Sequence, residues 1–250
     1  MSVFLSLFKK ELRSCFLSPI AYVVMFFFWV LTGGNYIWLL VQMSDGESLM
    51  FATQGIFGGL VLTFAVPFVV PLITMRLFAE ERKLGTLESL LTTSVRVPEL
   101  VLAKYAGALV FYLVLWLPVL VYVGILIHLC PPEVVGFPDT GAMWAAAVGV
   151  ILVGGLYIAV GLCMSTLTSN QIVSAISSFA LLFGATLTLA FMASNSQSEV
   201  VQTVGKYYSS FVHMMDFARG ILDSRLIVMY LCNTAWFLFV ATRIVEGKRG

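Results

Sequence analysis

"AMWAAAVGVILVGGLYIAVGLCMSTL", residues 142–167, runs its whole length without a charged residue. A helix of about 20 predominantly apolar residues crosses the roughly 30 Å hydrocarbon core of a bilayer. Because the backbone must satisfy its own hydrogen bonds inside lipid, a spanning segment of this length is expected to be an α-helix. The stretch therefore predicts a membrane protein with a helical fold.

The composition of the whole chain agrees with that prediction. Its 250 residues are 60% hydrophobic and 11% charged, whereas a soluble domain is usually about a quarter charged. The mean hydropathy is +0.99. Five other stretches share the length and apolar character of the first, which gives six predicted spans: 18–42, 56–77, 100–129, 142–167, 171–193 and 226–243. We therefore predict an all-α membrane protein with six transmembrane helices.

The chain is expected to form a single transmembrane domain over residues 1–250. Its predicted order is an interfacial helix (1–17), spans one and two (18–77), a charged loop (78–97), spans three to five (98–193), an outer hairpin (194–225), and span six with a cytoplasmic tail (226–250). Lys and Arg concentrate in cytoplasmic connections. Eleven of them fall on the side of the termini and the charged loop, and three fall on the other side. Both termini and the charged loop are therefore predicted to be cytoplasmic.

Residues 3–16 have the pattern of an amphipathic helix. The apolar side chains on one face are Phe4, Leu7, Phe8, Leu12 and Phe16, and the cations on the other face are Lys9, Lys10 and Arg13. Such a helix lies in the membrane interface, where its cations meet lipid headgroups. Pro19 then breaks the chain before the first span. A ragged extension of the first span is the alternative.

Several functional classes lack their usual residues. No predicted span has an acid or a base near its middle, which argues against a carrier coupled to protons or sodium. The four cysteines show no metal-ligand spacing, and there is no basic tract for nucleic acid. The chain also has no P-loop and no hydrolase motif. We therefore expect no catalytic, cofactor or metal site in it.

Charged residues concentrate between the second and third spans, where residues 76–104 hold nine of the 27. Gly85 suits a helix end, Thr86 can cap a following helix, and Glu88 would lie in its first turn. The apolar face of that helix would consist of Leu87, Leu90 and Leu91. A surface with an apolar centre and a charged rim is typical of protein docking. The alternative is a solvated loop whose basic residues only set the topology.

The segment "RLFAEERKLGTLESLLTTSV", residues 76–95, resembles the cytoplasmic loop of ABC-2-type permeases, the membrane subunits of ABC transporters. The matching residues are Glu80, Glu81, Arg82, Gly85, Thr86, Glu88, Leu90, Leu91 and Thr92. The likeness continues through "LAKYAGAL" (102–109), "DTGAMW" (139–144), "STLTSNQIVSA" (165–175) and "FARGILDSR" (217–225), and is greatest to the gliding-motility-type permease.

The resemblance implies a six-span subunit of a bacterial inner membrane with a re-entrant hairpin before the last span, for which residues 199–224 are the candidate. It also implies a coupling helix in the charged loop that docks on a separate P-loop ATPase, which would hold ATP and Mg²⁺. Other expected partners are membrane lipid and a second permease copy or a related membrane subunit. The expected function is ATP-driven export. A membrane scaffold that transmits ATPase-driven force to an envelope or motility partner is the main alternative, and a secondary carrier is a weaker one.

Overall fold

The computed structural model describes residues 3–44, 52–59, 65–86, 96–129, 140–196 and 198–247. Within those ranges the regular elements are α-helices, as the sequence predicts. In chain order they are α1 (Val3–Leu17), α2 (Pro19–Ser44), α3 (Ala52–Phe57), α4 (Val66–Thr74), α5 (Ala79–Lys83), α6 (Val97–Leu115), α7 (Leu117–Leu129), α8 (Thr140–Leu167), α9 (Gln171–Asn195), α10 (Glu199–Tyr208), α11 (Ser210–Ala218) and α12 (Ser224–Glu246).

In the described part of the chain, five helical segments are long and apolar enough to cross a membrane. They are Pro19–Gln42, Val97–His128, Thr140–Leu167, Gln171–Asn195 and Ser224–Glu246. They correspond to the first and the third to sixth predicted spans. The predicted second span, 56–77, is occupied by α3 and α4, and residues 60–64 between them lie outside the described ranges. A sixth continuous span therefore stays a prediction.

The third span is interrupted near its middle. Helix α6 ends at Leu115 and α7 begins at Leu117, with Trp116 between them donating its N–H to the Leu113 carbonyl at 3.1 Å. Pro118 explains the break, because proline lacks an N–H and its ring clashes with the carbonyl four residues earlier. The helix break therefore lies two residues before Pro118.

Helix α8 is the centre of the bundle. It contacts α3, α4, α5, α6, α9, α11 and α12, and 72% of the residues in its most apolar stretch are buried, against 11% for α12. Glycines permit this close packing: a Cβ at Gly154 would lie 2.2 Å from the Tyr112 ring, and one at Gly161 would lie 2.2 Å from the Thr74 hydroxyl. A helix packed on so many neighbours can pass a displacement at its end to the rest of the bundle.

The amphipathic helix expected over residues 3–16 is observed as α1. Its apolar side rests on α6, where the rings of Phe16 and Phe111 meet edge to face with centroids 5.2 Å apart. Lys9 and Arg13 are exposed, as the sequence pattern predicts. The helix is interrupted at Ser18, directly before Pro19 begins α2. The first helix is therefore attached to the third span.

The predicted outer hairpin consists of two short helices, α10 and α11, separated by Ser209. Gly220 follows α11 with a φ of +84°, a conformation that glycine adopts without steric cost. Beneath the hairpin, buried His213 lies 3.0 Å from the Tyr230 hydroxyl through its Nδ1 atom. This contact joins α11 to α12.

Candidate functional site

The charged loop begins where α4 ends. After Thr74 the chain turns through residues 75–78, forms the short helix α5, and reaches Gly85 with a φ of +70°. That left-handed conformation ends the helix, as the sequence predicts, because a side chain there would be strained. The conformation of Gly85 therefore fixes the direction in which the chain leaves α5.

Ser165, near the end of α8, holds the start of α5. Its hydroxyl oxygen accepts hydrogen bonds from the backbone N–H groups of Phe78 and Ala79, both at 3.1 Å. The same hydroxyl donates to the Met75 carbonyl at 3.2 Å. Ser165 is fully buried, so these three bonds replace water for the backbone groups of a tight turn. One side chain thus connects the central helix to the loop.

A second connection to α8 comes from Arg82. One terminal nitrogen of its guanidinium, Nη1, donates to the Thr166 carbonyl at 3.0 Å. Carbonyls in the last turn of a helix have no partner within that helix, so a cation is favoured there. Arg82 therefore fixes α5 against the end of α8.

Lys104 of α6 is the centre of a buried ionic cluster. Its ammonium lies 3.1 Å from a carboxylate oxygen of Glu11 and 3.0 Å from one of Glu81. It also lies 5.1 Å from the centroid of the Phe78 ring, a cation–π distance. Only 2% of the Lys104 side chain is exposed, against 7% for Glu11 and 16% for Glu81. The cluster joins α1, α5 and α6, which are far apart in sequence.

Arg76 and Glu80 form a two-pronged ion pair across the turn. The Nε and Nη2 atoms of Arg76 donate to the two carboxylate oxygens of Glu80 at 2.8 and 3.1 Å. The Nη1 atom of Arg76 also donates to the Ser18 hydroxyl. The pair therefore fastens the turn to the junction between α1 and α2.

The structure describes half of the docking residues predicted from the sequence. Those that lie outside the described residues are Leu87, Glu88, Leu90, Leu91 and Thr92. The Thr86 hydroxyl donates to the Glu81 carbonyl at 3.2 Å, and the cap predicted for it involves residues outside the described ranges. Glu80, Glu81 and Arg82, predicted to form a charged rim for a partner, each contact this chain itself.

Sequence reasoning missed the residues that hold the loop, although two carried a signal. Glu11 lies four residues after Leu7 and therefore interrupts the apolar face of α1. Lys104 lies inside a predicted span, where a charge is costly unless it is paired. An acid on an apolar face and a base in a span together indicate a buried ion pair. Ser165 gave no comparable signal, because serines are common in membrane helices as hydrogen-bond donors within the helix.

The contacts of α5 are suited to transmitting force between helices. The described part of the chain brings together no group of three or more His, Cys, Asp or Glu side chains suited to a metal ion. Instead, hydrogen bonds and ion pairs join α5 to α1, α6 and α8 directly before the segment 86–95. A force applied to that segment would reach the central helix and the third span.

The comparison with family models agrees with a membrane protein of several spans. The model described as "ABC-2 family transporter protein" matches residues 40–242, which are 203 of the 250 residues and include α5 and α8. No curated protein matches the chain. Since the match covers about four fifths of the sequence and the described residues include five candidate membrane spans, the chain belongs to the ABC-2 transporter family, whose members are multi-pass membrane subunits of ABC transporters.

Proposed function

We propose that this permease subunit is an exporter driven by a separate ATPase, which docks on a coupling helix in residues 85–92. The observation that carries the proposal is the attachment of α5 to three other helices immediately before that segment. The partner would hold ATP and Mg²⁺. The subunit would act as a homodimer or pair with a related membrane subunit, in a bacterial inner membrane with both termini in the cytoplasm. Membership in the gliding-motility-type branch remains a prediction from the resemblance.

The contacts of α5 suggest how ATPase closure would reach the membrane. A displaced coupling helix would pull α5, whose backbone is bound to Ser165 at the end of α8. Because α8 packs on seven other helices, its end cannot shift without repacking the bundle. The Lys104 cluster would move α1 and α6 in the same direction. The break at Trp116 provides a hinge between the inner and outer halves of the third span.

The docking step is tested by co-purifying the full-length chain with its partner P-loop ATPase. Leu90→Asp would place a charge in the apolar centre of the contact, and Glu88→Arg would reverse a charge on its rim. Loss of a central contact costs about 2 kcal/mol or more, so Leu90→Asp should weaken association at least about 30-fold. Rim charges contribute less, and Glu88→Arg should weaken it about threefold to tenfold.

The matched control is Leu222→Asp. Leu222 is 51% exposed and directly follows Gly220 and Ile221, and a Cβ at Gly220 would lie 3.4 Å from Ala142 at the opposite end of α8. The same substitution there should leave association unchanged. Unchanged co-purification of both Leu90→Asp and Glu88→Arg would show that the ATPase binds elsewhere.

Export is tested separately in sealed vesicles that contain the permease and the ATPase. Accumulation of a membrane-permeant fluorescent amphiphile outside the vesicles should require ATP and should be lost with Leu90→Asp. ATP hydrolysis that depends on the permease but moves none of a panel of such compounds would favour the scaffold alternative.

A further inference from the structure

A cavity of about 290 Å³ lies where α1, α2 and α4 meet beside the charged loop. Its charged lining comes from Lys10, Glu11, Arg76, Glu80, Glu81 and Lys104. Its apolar lining includes Val24 of α2 and Leu72 of α4, whereas Ser18 and Arg76 lie just outside the ends of those two helices. The cavity therefore has a charged end toward the loop and an apolar end between the spans.

We propose that this cavity binds a zwitterionic phospholipid that carries a primary amine, of the phosphatidylethanolamine type. The position fits a lipid, because α1 is amphipathic and the first span begins at Pro19 directly beside the cavity. The charged end then lies at the level of the headgroups and the apolar end at the level of the acyl chains. The proposal depends on the membrane location of the chain and not on its transport activity or its ATPase contact.

The balance of charge selects the headgroup. The charged side chains that line the cavity are three cations and three carboxylates, so their charges balance: Lys10, Arg76 and Lys104, with Glu11, Glu80 and Glu81. Arg76 pairs with Glu80, Lys104 pairs with Glu11 and Glu81, and Glu80 and Glu81 are the two carboxylates on the side of the charged loop. A lipid with a phosphate and an ammonium can place each group beside its opposite charge. An anionic lipid would meet the same cations but would add a negative charge beside two carboxylates, which is unfavourable.

The hydrogen-bond capacity of the lining points to the same headgroup. A guanidinium has five N–H donors, and the contacts of Arg76 with Glu80 and Ser18 use three of them, so two can serve a phosphate. Glu81 uses its Oε1 atom for Lys104, while its Oε2 atom is buried without a hydrogen-bond partner among the described residues.

An unsatisfied buried carboxylate oxygen is costly, and a ligand that donates an N–H would relieve that cost. The last torsion of a glutamate side chain is broad, so the carboxylate of Glu81, which lines the cavity, can tilt its unpartnered oxygen toward a bound donor. A primary ammonium offers three N–H donors for this contact. The quaternary ammonium of phosphatidylcholine offers none, so the site should distinguish the two lipids.

The test uses the full-length chain in phosphatidylcholine nanodiscs doped with phosphatidylethanolamine or phosphatidylglycerol, with bound lipid counted by native mass spectrometry. Phosphatidylethanolamine should be retained about tenfold over phosphatidylcholine, the effect of a hydrogen bond to a charged group. It should also be retained in preference to phosphatidylglycerol. Soluble phosphoethanolamine should not displace it, since the acyl chain contributes to binding.

Two variants test the two ends of the cavity. Lys10→Gln should lower retention about threefold, because its ammonium is 56% exposed and screened by solvent. The matched control is Lys9→Gln, an exposed cation one residue away that does not line the cavity. Leu72→Trp should fill the apolar end and lower retention more than tenfold. Folding of each variant is checked by its thermal unfolding.

Three results would overturn the proposal. Equal retention of phosphatidylethanolamine and phosphatidylcholine would show that the ammonium donors are not recognised. Equal effects of Lys9→Gln and Lys10→Gln would show a general attraction of α1 to the bilayer. Complete displacement by phosphoethanolamine would show a site for the soluble headgroup alone.

Discussion

Replacement of Lys104 by methionine removes the buried cation that contacts both Glu11 and Glu81 and keeps most of the length of the side chain. At about 3 Å and an effective dielectric constant of about 20, each Lys104–carboxylate contact is attractive by roughly 5 kcal/mol before desolvation is counted. Desolvation of the three buried groups cancels much of this attraction. Loss of one partner is still costly, because the carboxylates of Glu11 and Glu81 stay buried without their cation.

The expected loss of stability for Lys104→Met is about 3–5 kcal/mol. For a chain of this size, 1 kcal/mol shifts the unfolding midpoint by about 2–4 °C, so the midpoint should fall by about 6–20 °C. The assay is thermal unfolding of the purified full-length chain in detergent, followed by tryptophan fluorescence. Lys10→Met is the control, since its ammonium lies 3.7 Å from Glu81 and is 56% exposed; it should cost less than about 1 kcal/mol.

A triple variant separates the ion pairs from the packing of the side chain. Lys104→Met combined with Glu11→Gln and Glu81→Gln removes all three charges, and it should recover most of the lost stability, because an uncharged cluster has no unpaired ion. If Lys104→Met is no more destabilising than Lys10→Met, the cluster does not hold α1, α5 and α6 together. If the triple variant is as unstable as the single one, packing rather than charge accounts for the loss.

Three further substitutions test other parts of the structure. Ser165→Ala leaves two buried N–H groups unsatisfied, so it should lower the free energy of unfolding by about 2–4 kcal/mol. Ser194→Ala removes an exposed hydroxyl and should lower it by less than about 0.5 kcal/mol. Equal costs in thermal unfolding would exclude Ser165 as the anchor of the loop. Gly154→Ala would force a Cβ against Tyr112 and should cost about 1–3 kcal/mol of stability. Gly184→Ala, where a Cβ would meet no atom within 4 Å, should be neutral or stabilising by about 0.5–1 kcal/mol. A Gly154→Ala variant as stable as the native chain would contradict the close packing of α8 on α6. Burial lowers the pKa of His213 below its ordinary value of 6.5, so the unfolded chain binds the proton more readily than the folded chain does. The folded state should therefore be fully stable above pH 6.5 and should lose stability as the pH drops through the lower pKa of the folded state. Thermal unfolding midpoints measured between about pH 8 and pH 5 should fall in the native chain and in His128→Gln but not in His213→Gln. If the midpoint still falls in His213→Gln, another group causes the loss of stability.

The long spans could be predicted from the sequence because one physical property decides them. A helix in lipid needs a sufficient run of apolar residues, and α8 and α9 begin and end within two residues of their predicted limits. The second predicted span was less regular. Pro67 and Pro71 lie in the short helix α4, and each removes a backbone N–H that a continuous helix would need.

The candidate site was only partly predictable, because its contacts are long-range. The end of a helix at Gly85 depends on the local backbone and was predicted correctly. The partners of Glu81 and Arg82 lie 23 and 84 residues away in sequence, at Lys104 and Thr166, and no local pattern identifies them. A local sequence motif suggests an external partner for these charges, because it does not show which distant residues of the same chain lie beside them.

The pairing of Glu80 with Arg76 and of Glu81 with Lys104 has a consequence for the ionic strength at which the subunit assembles. A partner that approaches these carboxylates meets charges whose fields are largely cancelled over a few ångströms, a distance shorter than the Debye length of about 8 Å in physiological salt. Long-range attraction from these two side chains is therefore weak. Recognition at this part of the surface would depend on shape and on buried apolar contact, and the complex would persist in salt concentrations that dissolve assemblies held by opposite surface charges.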